Sequence, residues 1–174
     1  HPPEAIFDLL PRTVDRSAKT ESRTMVEAHL NDQQTLLALN EVYVGCRTHQ
    51  SSRYRISFET KEERHSSSGV IISTGTGATG WAKSINRERE GKVALPCPSD
   101  HRLVFFVREA WPSIATGASI TAGVVPEATA LELTSEMNEG GVIFGDGIED
   151  DRLAFDWGVS AQIRVASKRL ELVR

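Results

Sequence analysis

The sequence lacks the features that mark several common classes of protein. Its 174 residues include only two cysteines, Cys46 and Cys97, which are too few for a disulfide framework and are not at metal-ligand spacing. The five histidines are scattered, so we expect no zinc or other metal site. Two free thiols indicate a reducing compartment, which predicts a cytoplasmic protein, or one of the mitochondrial matrix if a targeting segment has been removed.

Long hydrophobic runs and an excess of positive charge are also absent. The formal net charge is −4, and no cluster of lysine and arginine is interleaved with aromatic residues. This distribution argues against a nucleic-acid partner. No apolar stretch approaches the length of a membrane-spanning helix, and no charged-then-apolar segment opens the chain, so we expect no membrane partner. The length alone is that of one domain.

Strand-like patterns make up most of the sequence, which predicts a mainly β fold with one central helix. The helix pattern has Ala78, Trp81, Ala82 and Ile85 on one face, and we expect about three turns ending before Gly91. A short helix closed by Pro11 is expected near the beginning, and a polar turn at 61–64. The expected strands are 25–30, 35–45, 54–58, 70–72, 103–107, 119–124, 130–134, 141–144, 153–156, 161–165 and 170–173.

A loop of alternating glycine and hydroxyl residues links the buried strand 70–72 to the central helix. Gly75 and Gly77 remove the Cβ atoms that would keep a ligand from the backbone. Thr74, Thr76 and Thr79 offer hydroxyl groups, and the first amides of the helix favour negative charge or polar oxygens. The loop is not a P-loop, because no Gly-Lys-Ser/Thr follows its glycines. The alternative is a plain connection whose glycines only solve a backbone problem.

Two other polar segments could carry chemistry. Asn40 and Glu41 lie side by side in an apolar strand pattern, where buried polar groups need partners from the protein or from a ligand. Because successive strand side chains face opposite sides, one of the two could simply face solvent. The segment 145–151 contains Gly-Asp-Gly followed by acidic residues. It lacks the alternating ligands of a calcium loop and predicts a hairpin with a solvated acidic tip.

Taken in order and spacing, Asn40-Glu41, the Thr74–Trp81 loop and Asp146-Gly147 resemble the C-terminal domain of NAD kinases. The Thr-Gly-Thr-Gly form followed by Trp81 is most similar to the mitochondrial-type branch, since the commoner form has proline at 75, alanine at 80 and tyrosine at 81. The resemblance implies an antiparallel β-sandwich that holds NAD against an N-terminal α/β domain. Residues 1–22 would then be a helix and linker from that missing domain, and residues 23–174 the NAD-binding domain.

The resemblance also implies an activity, the ATP-dependent phosphorylation of NAD to NADP at the 2′-hydroxyl of the adenosine ribose, with Mg²⁺ and ATP bound in the intact enzyme and a homodimer as the assembly. Asn40 and Glu41 would contact the base or ribose, Thr76 and Thr79 would hydrogen-bond the dinucleotide, and Trp81 would stack on it. The implied substrate-binding residues are Asn40, Glu41, Thr74, Thr76, Gly77, Thr79, Trp81 and Asp146.

The catalytic aspartate of the family lies in a Gly-Gly-Asp-Gly motif of the N-terminal domain, and these 174 residues contain no such motif. Gly145-Asp146-Gly147 is in the wrong place to replace it, so we expect the chain alone to be inactive. Two alternatives remain open. One is the C-terminal domain of a lipid kinase of the diacylglycerol or sphingosine type, and the other is a non-catalytic nucleotide-binding module.

Overall fold

Alternating burial along the chain builds the strands. In the computed structural model, which describes residues 3–174, strand β1 (Thr20–Leu30) buries Val26, Ala28 and Leu30 completely, while the residues between them stay partly exposed. This is the period-two pattern of a strand with one face on a core. Strand β6 (Val70–Ser73) is instead buried on both faces, as its continuous apolar run predicts.

Two six-stranded antiparallel sheets form from the described residues. The strands, besides β1 and β6, are β2 (Thr35–Ala38), β3 (Glu41–Cys46), β4 (Ser52–Phe58), β5 (Lys61–Ser67), β7 (Arg102–Val107), β8 (Ala122–Pro126), β9 (Leu131–Ser135), β10 (Gly141–Gly145), β11 (Leu153–Ala154) and β12 (Ser160–Val173). The first sheet has the order β2-β1-β12-β9-β4-β5, and the second has the order β11-β10-β3-β6-β7-β8. The main apolar core lies between the facing sheets, so the expected β-sandwich is confirmed.

The outer face of the second sheet carries the central helix, α2 (Trp81–Glu88). Ala82 packs there against Val104 and Phe106 of β7. The helix is shorter than the three turns expected, because Gly80, with φ −106° and ψ −115°, separates it from the short 3₁₀ turn Gly77–Thr79.

The short N-terminal helix extends further than the sequence suggests. Helix α1 (Ile6–Val14) follows a 3₁₀ turn at Pro3–Ala5 and continues through Pro11, which was expected to end it. Proline removes one N–H from a helix, but the last turn gains other hydrogen bonds here. The Thr13 hydroxyl donates to the carbonyl of Leu9, and the Asp15 N–H donates to the carbonyl of Pro11.

The expected single strand over 35–45 is wrong. The chain breaks at Leu39 and Asn40, so that β2 belongs to the first sheet and β3 to the second. The break places Asn40-Glu41 where the chain crosses between the two sheets, rather than in the middle of a strand.

Two other expectations fail because long-range pairing overrides local polarity. The polar residues 61–64, expected as a turn, begin β5, which pairs with β4 from Lys61 opposite Phe58. The expected strands 161–165 and 170–173 are one strand, β12, which pairs with β1 along most of its length. In both places the partner strand supplies the backbone hydrogen bonds that make the extended conformation stable.

Glu63 of β5 holds the segment before β8 against the first sheet by hydrogen bonds. Because a carboxylate accepts these bonds, we expect the stability of the protein to fall in acid. Its carboxylate accepts hydrogen bonds from the N–H groups of Ser119 (3.1 Å) and Ile120 (3.0 Å) and lies 2.9 Å from Nε2 of His65. Burial raises the pKa of Glu63, but the hydrogen bonds from Ser119, Ile120 and His65 outweigh it and lower the pKa to about 2.

A carboxylate whose pKa is lower in the folded protein than in the unfolded chain stabilises the fold above the unfolded value, and this contribution is lost as the pH falls from 4.5 towards 2. We expect Glu63→Gln to lower the free energy of unfolding at pH 7 by about 1–3 kcal/mol, with a smaller difference near pH 2. Urea unfolding at several pH values measures this. Glu62→Gln, on the exposed side of the same strand, is the control, and a Glu63→Gln deficit that does not shrink with acid would contradict the prediction.

Candidate functional site

The loop and the Asn40-Glu41 pair meet at one end of the second sheet. Glu41 is the first residue of β3 and pairs with Ser73, the last residue of β6, so the loop that follows β6 begins beside Asn40. The Thr74 N–H donates to the carbonyl of Asn40 at 2.9 Å. Segments some 35 residues apart in the sequence therefore form one surface.

Thr74 shapes this loop from within the protein. It is fully buried, and its hydroxyl donates to the carbonyl of Leu39 at 2.6 Å. The same oxygen accepts the N–H groups of Thr76 (3.1 Å) and Gly77 (3.3 Å). Its hydrogen-bonding capacity is thus used in closing the turn.

The two loop glycines are required by the protein's own backbone. A Cβ atom on Gly75 would lie 1.9 Å from the carbonyl oxygen of Cys97, and one on Gly77 would lie 2.2 Å from the carbonyl oxygen of Asn40. The expectation that their missing Cβ atoms make room for a ligand is therefore corrected, since the space is filled by neighbouring backbone.

Asp146 organises the crossing between β2 and β3. Its carboxylate accepts the backbone N–H groups of Leu39 (2.9 Å) and Asn40 (2.6 Å), and that of Glu41 at 3.3 Å. These amides lie where the strand pairing is interrupted, so they need an acceptor that the sheets do not supply. Asp146 is half-buried in the left-handed region (φ 53°), at the start of the expected hairpin between β10 and β11, whose acidic residues 149–151 are exposed.

Three polar side chains next to this crossing form no side-chain hydrogen bonds with the described residues. The hydroxyl oxygen of Thr76 is buried and has no hydrogen-bond partner among residues 3–174. The Asn40 side-chain amide makes no hydrogen bond in the described part of the chain, although its backbone is fully engaged. Burial, and then the nearby charge of Asp146, raise the pKa of Glu41, whose carboxylate lies close to Gly77. A hydroxyl or amine group of a ligand could supply the missing hydrogen bond to each of these groups.

Trp81 begins α2 at the side of this group of residues and is partly stacked. Its ring is nearly parallel to that of Tyr43, with an interplanar angle of 8° and 6.2 Å between centroids. The guanidinium of Arg108 lies 4.9 Å from the centre of the Trp81 ring, a cation–π arrangement. Trp81 remains 38% exposed, so part of its aromatic surface is open to a ligand.

Sequence reasoning missed Tyr43 and Arg108. Tyr43 could have been found, because it lies two residues after Glu41 and so faces the same side of β3. Arg108 gives no local signal, since it follows β7 and reaches Trp81 only through the pairing of β7 with β6. Thr79, which was expected to contact a ligand, is exposed and donates its hydroxyl to the carbonyl of Thr76 at 3.1 Å.

Across residues 3–174, no three or more histidine, cysteine, aspartate or glutamate side chains come together as metal ligands would. Neither helix in that range has the length and apolar character needed to cross a bilayer.

No family model matches the chain, and no curated protein matches it. Among solved structures, the chain resembles the crystal structure of yeast NADH kinase complexed with NADH, with a TM-score of 0.71 and 16% sequence identity over 98% of this chain. At this identity the likeness shows that the two share a fold. The chain spans about half of that kinase, 48% of its length.

Proposed function

We propose that this chain is the dinucleotide-binding half of an NAD kinase, of the mitochondrial-type branch. The observation that carries the proposal is that the Asn40 amide, the Glu41 carboxylate and the buried Thr76 hydroxyl lie at the crossing between the sheets and have no hydrogen-bond partner among residues 3–174. The yeast kinase with the same fold was crystallised with NADH, which supports a dinucleotide as the ligand.

The chemistry of these side chains suits a nucleoside. A carboxylate accepts hydrogen bonds from ribose hydroxyls, and a side-chain amide can both donate to and accept from an adenine edge. We propose these roles for Glu41 and Asn40, with Thr76 bonding a further polar atom and Trp81 giving a stacking surface. Thr74, Gly77 and Asp146 support this site by holding the loop and the crossing in place.

Phosphoryl transfer needs groups beyond those proposed to bind the nucleoside. A base must accept the proton of the ribose hydroxyl, and positive charge must balance the phosphates. The Asp146 carboxylate is engaged by three backbone amides, so we do not assign it as this base. We therefore propose that the catalytic aspartate, ATP and Mg²⁺ belong to a separate N-terminal domain, with residues 1–22 as its connection and 23–174 as the binding domain. That the protein assembles as a homodimer remains a prediction.

The test is calorimetric titration of NAD and NADP into this chain and two variants. We expect Asn40→Ala and Thr76→Ala each to weaken NAD binding by about tenfold, since each leaves a ligand polar group unpaired. Asn138→Ala, an exposed asparagine between β9 and β10, is the matched control. We expect no NADP from NAD, ATP and Mg²⁺ with the chain alone. NAD binding that is indifferent to both site substitutions, or NADP formation by the chain alone, would contradict the proposal.

The two alternative functions, a lipid kinase domain and a non-catalytic nucleotide-binding module, agree differently with the structure. Aromatic residues such as Tyr43 and Phe144 line the cavity beside Trp81 together with Arg47, Arg108 and Arg152, and these arginines favour an anionic group over the acyl chain of a lipid. A non-catalytic nucleotide-binding module would use the same free side chains. NAD binding together with inactivity of the full-length protein would favour that module over the kinase.

A further inference from the structure

A basic cavity of about 230 Å³ lies on the outer side of the second sheet, next to Trp81. Three separate parts of the chain supply its basic residues. The turn after β3 supplies Arg47 and His49, the end of β7 supplies Arg108, and the segment before β11 supplies Arg152. Asn40, Glu41 and Thr76 do not line this cavity, so it adjoins the nucleoside site proposed above and shares only Trp81 with it.

The concentration of positive charge is unexpected in this chain. The formal net charge is −4, yet three arginines line one small cavity. Arg108 has an ion pair with the exposed Glu109 at 3.5 Å, whereas neither Arg47 nor Arg152 has one within residues 3–174. Glu149 also lines the cavity, but Arg152 bonds to its backbone carbonyl oxygen rather than to its carboxylate.

Like charges placed together repel one another, and an anion bound among them would remove the repulsion. We propose that this cavity binds a phosphoryl group. A phosphate offers more acceptor oxygens than a carboxylate and up to two charges, so it can engage several guanidinium groups at a time and balance more of their charge. The volume is below the roughly 300 Å³ at which pockets enclose a whole small molecule, so a group rather than a complete ligand fits here.

The phosphoryl group has two possible sources. It can belong to the dinucleotide itself, because Trp81 lines the cavity and also begins the helix beside the Thr76 loop. It can also belong to a separate phosphate compound that binds this face independently. The first source rests on the proposed function, and the second does not.

The experiment titrates inorganic pyrophosphate, NAD and adenosine into the chain at low ionic strength, with Arg47→Gln, Arg152→Gln and a control. Arg164→Gln is the control, since it removes the same charge from β12 in the other sheet. We expect each cavity substitution to weaken pyrophosphate binding by about fivefold or more, and the control to leave it within about twofold. Thermal unfolding of each variant confirms that these surface substitutions leave the fold intact.

The results separate the two sources and the two proposals. Weaker binding of NAD as well, with adenosine unaffected, identifies the phosphate as that of the dinucleotide. Weaker binding of pyrophosphate alone identifies a separate phosphate compound. Pyrophosphate that binds all four proteins equally, or none of them, overturns the phosphoryl site, even if NAD binding depends on Asn40 and Thr76 as proposed. Conversely, NAD binding that ignores Asn40 and Thr76 leaves a positive pyrophosphate result intact.

Discussion

Gly77→Ala is expected to weaken NAD binding by at least about tenfold and to lower the free energy of unfolding by about 2–4 kcal/mol. The new methyl group would lie 2.2 Å from the carbonyl oxygen of Asn40 and 2.8 Å from Oε2 of Glu41. Since the first of these atoms is backbone, it cannot rotate away, and the crossing between β2 and β3 must move. That movement displaces both side chains proposed to hold the nucleoside.

Gly80→Ala is the matched control for this substitution. A Cβ atom on Gly80 would meet its nearest neighbour, the carbonyl oxygen of Gly77, at 3.7 Å, which is ordinary contact. We expect smaller losses of stability and NAD affinity than in Gly77→Ala, since the remaining cost is that alanine adopts the Gly80 backbone conformation (φ −106°, ψ −115°) less readily. Urea unfolding and calorimetry measure the two effects on the same proteins. A Gly77→Ala protein that binds NAD like the Gly80→Ala protein would show that the crossing is not part of the binding site.

The mainly β fold and the central helix follow from local pattern, because burial alternates along β1 and β4 and the apolar residues of α2 share one face. The break at Leu39 and Asn40 does not follow from local pattern. Residues 35–45 are apolar enough for one strand, and what interrupts them is a carboxylate more than 100 positions later. A contact between residues so far apart in the chain cannot be predicted from the pattern of neighbouring residues.

In the candidate site, too, some features follow from the local sequence pattern and others only from long-range contacts. Asn40, Glu41 and the threonine loop are visible in the sequence as polar residues next to apolar strands. Their roles differ once the chain is folded, because Thr74 is engaged by the protein while Thr76 keeps a buried hydroxyl without a partner. Both are threonines of one short loop, and only the position of Leu39 and Asn40 against that loop distinguishes them.

Asp146→Ala is expected to lower the free energy of unfolding by about 2–4 kcal/mol and to reduce NAD affinity by about tenfold or more. The substitution leaves the N–H groups of Leu39, Asn40 and Glu41 without their acceptor, and it places alanine at φ 53°, which favours aspartate, asparagine or glycine. Urea unfolding gives the stability, and calorimetry gives the affinity. Asp150→Ala, in the exposed acidic segment that follows, should change neither.

Asp146→Asn tests whether this carboxylate acts through the backbone or on the ligand itself. Asparagine tolerates the same backbone conformation and keeps one acceptor oxygen, so it should hold part of the crossing in place. If Asp146 is a positioning residue, stability and NAD affinity should fall together, and each should fall less than in Asp146→Ala. A variant with the stability of the unaltered chain but without NAD affinity would instead show that the carboxylate contacts the dinucleotide.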